Sequence, residues 1–146
     1  MRAASMIVGL IVAIATGIVS QASPTNDNSK KILGVWQLTK GTIGGAPLPE
    51  AAIKAIKLEL SESKYLVTGA ESPDEGTWEI HSATKPAGID VHGVNGPNAG
   101  KTFLAIYALK GDTLKVCYDL SGKTRPKRFE SEPRTMTFLA EYHRIK

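Results

Sequence analysis

Residues 102–119, TFLAIYALKGDTLKVCYD, decide the fold of this chain, because they form a pattern of two strands joined by a tight turn. Gly111 and Asp112 occupy the turn, where a glycine adopts the positive backbone angle that most residues avoid. In the second strand, positions 114, 116 and 118 are apolar, while positions 113, 115, 117 and 119 are mostly polar. This alternation predicts an antiparallel sheet with one buried and one solvated face.

The same pattern extends to both sides of this hairpin. Short apolar stretches rich in β-branched and aromatic residues are separated by clusters of Gly, Pro, Asn, Asp and Ser. They predict eight strands, at 33–40, 56–61, 64–68, 76–80, 88–92, 102–109, 113–119 and 135–144. One short helix is predicted at 49–55, after the first strand. Such strands indicate a sandwich or a closed barrel. We predict the all-β barrel, with eight antiparallel strands in up-and-down order.

The composition limits the classes of protein to consider. The chain has 146 residues, 18 basic and 14 acidic, and a single cysteine. That length suits one domain, and one cysteine excludes an intramolecular disulfide framework or a zinc site of paired thiolates. The net charge of +4 is scattered along the sequence. The charge pattern therefore argues against a dedicated nucleic-acid-binding protein.

The N-terminal segment differs from the rest. Arg2 precedes the uncharged stretch MIVGLIVAIATGIV at 6–19, and small residues follow at Ser20 and Ala22. This arrangement predicts a signal peptide with a helical centre at 1–22, a flexible lead-in at 23–31 and the barrel at 32–146. The mature protein would then be secreted or periplasmic, without stable membrane insertion. An uncleaved membrane anchor is the alternative, although the apolar part is shorter than the ~20 residues that span a bilayer.

Three residues at the two ends of the barrel sequence resemble those of lipocalin-type barrels. Gly34 and Trp36 form a Gly-x-Trp motif on the first strand, and Arg144 ends the last strand. In that family the tryptophan closes one end of the barrel and the arginine lies across its ring. A guanidinium over an indole gains about 0.5–2 kcal/mol. The second lipocalin motif, Thr-Asp-Tyr on a later loop, is absent.

A second resemblance covers residues 30–146. The segments 93–102 (GVNGPNAGKT), Ile106-Tyr107, 111–117 (GDTLKVC) and Arg125-Pro126-x-x-Phe129 follow in order after the Gly-x-Trp motif. Together they resemble a family of small exported bacterial domains, prominent in planctomycetes, that is uncharacterised and described as lipocalin-like. The resemblance implies a barrel and no particular activity. Its structural signature residues here are Gly34, Trp36, Gly111, Asp112, Cys117, Pro126, Phe129 and Arg144.

A barrel of eight strands is just wide enough to be filled by side chains or to hold one small ligand. We predict that it holds a small, mainly apolar molecule. The predicted ligand-binding residues are Trp78, Tyr107, Tyr118 and Phe138 inside, with Arg125 as a polar contact at the mouth. For Arg125, the residues of its segment favour a loop anchor that bonds to carbonyls or to an acid, and the ligand contact is the functional alternative. The alternative function is a cell-envelope scaffold or protein-interaction module with a filled core.

The sequence predicts no catalytic residue, cofactor or metal site. The segment 95–102 (NGPNAGKT) resembles a phosphate loop, but a strand follows it where a helix is required, which argues against nucleotide binding. The histidines His81, His92 and His143 are considered as metal ligands together with Asp90 and Asp112, but no i, i+2 or i, i+4 pair is recognised in this set, so no metal site is expected. Cys117 is predicted to pack inertly, with a reactive free thiol as the alternative. The oligomeric state is left open.

Overall fold

A computed structural model describes residues 27–146, which form one antiparallel sheet with two short helices. The elements are α1 (Asp27–Lys31), β1 (Gly34–Ile43), β2 (Ala46–Pro47), α2 (Glu50–Ala55), β3 (Lys57–Ser61), β4 (Lys64–Thr68), β5 (Asp74–His81), β6 (Gly88–Asn95), β7 (Thr102–Lys110), β8 (Thr113–Asp119) and β9 (Thr137–Arg144). The predicted signal peptide at 1–22 lies outside the described residues. Of the predicted lead-in, residues 27–31 are described and form α1.

The sheet closes on itself. Each barrel strand pairs with its successor in the chain, and β1 also pairs with β9, from Trp36 opposite Arg144 to Ile43 opposite Phe138. The two-residue β2 only extends the end of β1. This confirms the predicted lipocalin-like barrel of eight antiparallel strands, with a short helix after the first. Within residues 27–146, no helix has the length and apolar character needed to cross a bilayer.

The start of β1 lies at the closed end of the barrel. Trp36 is fully buried, and its indole Nε1 donates a hydrogen bond to the carbonyl of Ile32 at 2.9 Å. The Arg144 guanidinium lies 4.2 Å from the centroid of the Trp36 ring and donates to the carbonyls of Leu33 and Lys31. The expected contact between Trp36 and Arg144 is therefore confirmed. The Arg144 guanidinium thus contacts the Trp36 ring and also donates hydrogen bonds to backbone carbonyls.

Two signature glycines have conformational reasons to be glycine. Gly111 has a φ of +58° in the β7–β8 turn, as the sequence predicts. Its neighbour Asp112 accepts a hydrogen bond from Arg144 Nε at 3.2 Å, so this turn also helps to cover the closed end. Gly34 has a φ of +135°, and a Cβ there would collide with the carbonyl of Lys146. A side chain at Gly34 would therefore disturb the covered end.

The connection between β8 and β9 is attached to the barrel by Asp119. The Asp119 carboxylate accepts hydrogen bonds from the backbone N–H groups of Ser121, Lys123 and Thr124 and from the Ser121 hydroxyl. Burial by itself raises the pKa of Asp119, but these hydrogen bonds favour the charged form and outweigh it, so that the pKa is lowered. Asp119 therefore stays ionised and holds the start of the loop.

The 120–136 connection covers part of the outer barrel surface. Ile106 on β7 and Cys117 on β8 are paired across the sheet, and they share the outward face opposite Val116. Both are nevertheless buried, at 1% and 0% exposure. The Cys117 Sγ donates a weak hydrogen bond to the carbonyl of Glu130 at 3.5 Å. In this region, therefore, both faces of the sheet are buried.

Candidate ligand cavity

The barrel interior contains a cavity of about 170 Å³. In an up-and-down barrel, the connections after β4, β6 and β8 lie at the end opposite Trp36. Residues at those connections, among them Asp74, Asn98 and Leu120, line the cavity, so its mouth is at the open end. The volume is below the ~300–1,000 Å³ of typical ligand pockets, yet it matches an engineered cavity of about 150 Å³ that binds benzene.

The lining is mostly apolar and aromatic. The predicted residues Trp78, Tyr107, Tyr118 and Phe138 all line the cavity. Tyr118 and Phe138 are stacked, with ring centroids 5.7 Å apart. All four tyrosines of the chain belong to the lining, which adds Tyr65 and Tyr142 to the predicted set. Tyr142 belongs to the alternating apolar face of β9, and this pattern could have placed it in the set.

The Tyr107 hydroxyl is a buried polar group of this interior that lacks a hydrogen-bond partner in the described part of the chain. Tyr107 is 6% exposed, and its hydroxyl oxygen is buried without a hydrogen-bond partner among the described residues. Burial also raises the pKa of Tyr107, so the hydroxyl stays protonated and able to donate. An unpaired buried hydroxyl costs about 1–3 kcal/mol. A molecule that pairs with it would recover part of that free energy.

The mouth carries a small polar cluster. The Asp74 carboxylate accepts hydrogen bonds from the Tyr65 hydroxyl at 3.3 Å and from the Asn98 side-chain amide at 2.8 Å. Burial, then the negative charge of Asp74 and its hydrogen bond, raise the pKa of Tyr65 well above its ordinary value. The sequence analysis missed these residues. The inward alternation of β4 could have indicated Tyr65, whereas nothing in the sequence places the loop residue Asn98 beside Asp74.

Two further tyrosines of the lining are also held neutral. Burial raises the pKa of Tyr142 to about 12, although a hydrogen bond with Tyr118 works in the opposite direction. Burial raises the pKa of Tyr118 well above its ordinary value, with further contributions from Tyr142 and Tyr65. The interior therefore presents neutral hydroxyl groups at physiological pH. Among the described lining residues, the Asp74 carboxylate at the mouth is the one acidic group, and no cationic side chain is present to bind an anionic ligand.

The structure corrects the placement of Arg125. Its guanidinium lies on the outer face, where Nη2 is 2.6 Å from Asp90 Oδ1 and Nη1 donates to the Ala105 carbonyl at 2.8 Å. A Cβ on Gly88 would collide with it, so the guanidinium rests directly on the strand. Arg125 is therefore a loop anchor, the role that the residues of its segment favoured, and it does not contact the cavity. Among the described residues, no Lys, Arg or His lines the cavity.

Replacing Arg125 by glutamine is expected to lower the free energy of unfolding by about 1–3 kcal/mol, because it leaves the buried Asp90 carboxylate without its cationic partner. Urea unfolding followed by circular dichroism measures this loss. Arg128→Gln is the matched control, since Arg128 is exposed and lies 3.6 Å from Glu130. Equal stability of the Arg125 variant and the native protein would contradict the anchor role.

Cys117 and Phe129 occupy the covered outer surface rather than the cavity. Burial raises the pKa of the Cys117 thiol, although its hydrogen bond to the Glu130 carbonyl opposes the shift. The thiol thus favours its protonated, unreactive form. Phe129 is half-buried, and Lys115 Nζ lies 6.0 Å from the centroid of its ring. The placement of Cys117 agrees with the expected inert packing.

A second group of side chains lies outside, on β5 and β6. His81 Nε2 is 2.8 Å from Asp90 Oδ2 and 3.5 Å from Glu79 Oε1. The sequence analysis missed this group because it overlooked the i, i+2 spacing of Asp90 and His92 and did not consider Glu79 as a ligand. The signal was present as Glu-x-His at 79–81 and Asp-x-His at 90–92, since residues two apart on a strand share a face.

No protein-family model and no curated protein matches the chain. The fold and the cavity define the structural class of the protein, which is a closed lipocalin-like barrel with a small apolar interior.

Proposed function

We propose that this protein binds one small, neutral, mainly apolar molecule inside the barrel. The observation that carries the proposal is the unpartnered Tyr107 hydroxyl in an otherwise apolar cavity. Ligand sites combine an apolar lining with a few polar groups that orient the ligand. Tyr107 would supply that contact, by donating a hydrogen bond to an oxygen or nitrogen of the ligand.

The size and charge of the cavity limit the ligand. A volume of about 170 Å³ suits a molecule of roughly one aromatic ring or a short aliphatic chain. Asp74 is the carboxylate at the mouth, and no cation balances it among the lining residues that the structure describes. The proposal therefore favours neutral molecules over anions such as fatty acids.

Tyr107→Phe is expected to weaken the binding of phenol but not of toluene, two probes of similar size. Isothermal titration calorimetry should show phenol binding weakened about three- to tenfold by the variant, because one hydrogen bond contributes about 0.5–1.5 kcal/mol. Toluene binding should not change. In the absence of a probe, the variant should be about 1 kcal/mol more stable, since it removes an unpaired buried hydroxyl.

Leu114 also lies in the cavity lining, so Leu114→Ile is the control for a change in packing that does not involve the Tyr107 hydroxyl. It should alter the affinity of both probes equally. Native mass spectrometry of protein purified from its own host would show whether a natural ligand is bound. An interior that binds neither probe and is always empty would overturn the carrier proposal in favour of the envelope scaffold.

Export is the second part of the proposal, and it rests on the sequence at 2–22 together with the resemblance to the exported planctomycete-type family. N-terminal sequencing of the protein recovered from its host provides the test. The expected mature chain begins at Ser23 and is found outside the cytoplasm. A chain that retains residues 1–22 in the membrane fraction would show an anchor, and cytoplasmic protein would contradict export.

A further inference from the structure

Strands β5 and β6 carry the same short pattern on their outward faces. Glu79 precedes His81 by two residues, and Asp90 precedes His92 by two residues. The register of the two strands places Glu79 directly opposite Asp90. The two histidines therefore lie on either side of one pair of carboxylates. All four side chains project from rigid, paired strands, which position a site more accurately than loops do.

The distances between these side chains suit one metal ion. His81 Nε2, Asp90 Oδ2 and a Glu79 carboxylate oxygen all lie within 4.8 Å of one another. Zinc binds histidine nitrogen and carboxylate oxygen at about 2.0–2.2 Å, so ligand atoms around one ion are about 3–4 Å apart. The three atoms therefore need only small movements to surround an ion.

Neighbouring groups hold two of the side chains in orientations that suit a metal. Arg125 binds Asp90 Oδ1 at 2.6 Å, which leaves Oδ2 directed at His81. His92 Nδ1 is 2.9 Å from the Thr102 hydroxyl, while His92 Nε2 lies 3.9 Å from Glu79 Oε1. When Nδ1 donates to the hydroxyl, Nε2 carries the free lone pair. Metal-binding imidazoles are commonly held through their second nitrogen in this way, and so are metal-binding carboxylates.

We propose that this outer face binds a divalent transition-metal ion, represented by Zn²⁺, through Glu79, His81 and Asp90. His92 completes the site as a fourth ligand by a rotation of its side chain toward Glu79. Imidazole nitrogen favours such ions over Ca²⁺ or Mg²⁺, which prefer sites made wholly of oxygen. The site faces away from the cavity and does not depend on the proposed ligand.

Titration of the untagged full chain with zinc chloride, followed by calorimetry, tests this proposal. The native protein should bind one Zn²⁺, and calcium chloride should give no binding. His81→Ala should weaken zinc binding at least tenfold, and His92→Ala should weaken it about three- to tenfold. His143→Ala is the matched control, because His143 is exposed on β9 and should leave the affinity unchanged.

Circular dichroism and urea unfolding of each variant show whether it folds, so that a loss of binding is assigned to the ligand and not to unfolding. Glu79→Gln removes a second proposed metal ligand. Because Glu79 is exposed, the variant should fold, and it should also weaken zinc binding at least tenfold. No binding by the native protein, or equal effects of His81→Ala and His143→Ala, would overturn the proposal. The cluster would then be only an ion-pair network between two strands.

Discussion

Replacing Trp36 by alanine is expected to lower the free energy of unfolding by about 3–5 kcal/mol, the usual cost of removing a buried large aromatic side chain. Trp36 is fully buried, donates a hydrogen bond to Ile32 and lies under the Arg144 guanidinium. Its loss would open the closed end of the barrel. Because domains of this size are stable by only about 5–15 kcal/mol, the variant should be largely unfolded at moderate urea concentration. Far-ultraviolet circular dichroism measures the transition.

Trp36→Phe and a double-mutant cycle with Arg144→Ala separate the contributions of the hydrogen bond to Ile32 and of the contact with Arg144 to stability. Phenylalanine keeps a ring beneath the guanidinium but loses the hydrogen bond to Ile32, so it should cost less than alanine. The cycle should show a coupling of about 0.5–2 kcal/mol between Trp36 and Arg144. A loss below about 1 kcal/mol for Trp36→Ala would show that this end of the barrel does not determine its stability.

Raising the pH above 10 is expected to unfold the barrel cooperatively. In the unfolded chain, tyrosine loses its proton near pH 10, whereas the pKa of Tyr142 in the fold is about 12 because of burial. Between these values the unfolded state binds fewer protons than the folded state, so stability falls as pH rises. Tyr142 alone accounts for about 3 kcal/mol over two pH units.

The other three tyrosines act in the same direction. The pKa values of Tyr65, Tyr107 and Tyr118 are also raised, with burial as the largest cause in each case. Tyrosinate absorbance and circular dichroism, recorded together during an alkaline titration, should therefore change in one transition. The Tyr142→Phe variant should lose less of its free energy of unfolding between pH 8 and pH 12 than the native protein does. Four tyrosines that ionise near pH 10 in a folded barrel would contradict this prediction.

Much of the cavity lining could be predicted, because it follows from local alternation. On β8 and β9, Tyr118 and Phe138 belong to apolar faces that alternate with polar residues. On β7 the sequence is apolar at nearly every position, so the inward direction of Tyr107 could not be derived from it. The structure shows the reason, since Ile106 on the outer face is buried beside Cys117 under the 120–136 connection.

The residues that were misplaced or missed depend on contacts between distant parts of the chain. Arg125 lies in the 120–136 connection. Its position is determined by its contacts with Asp90 and the Ala105 carbonyl, which are 35 and 20 residues away in the chain. The grouping of Glu79, His81 and Asp90 depends on the register of β5 and β6. That register places Glu79 opposite Asp90 and depends on how the 82–87 connection joins the two strands, which the alternation of side chains does not determine.

The sequence by itself determined the eight strands and the turn at Gly111, because side-chain alternation and backbone conformation act over a few residues. The contact between Trp36 and Arg144 was implied by the resemblance of the Gly-x-Trp motif and the terminal arginine to lipocalin-type barrels. The tertiary structure alone decided the size of the interior, the unpaired state of the Tyr107 hydroxyl and the outer cluster on β5 and β6. These depend on strand register and loop path, which are set by packing among residues far apart in the chain.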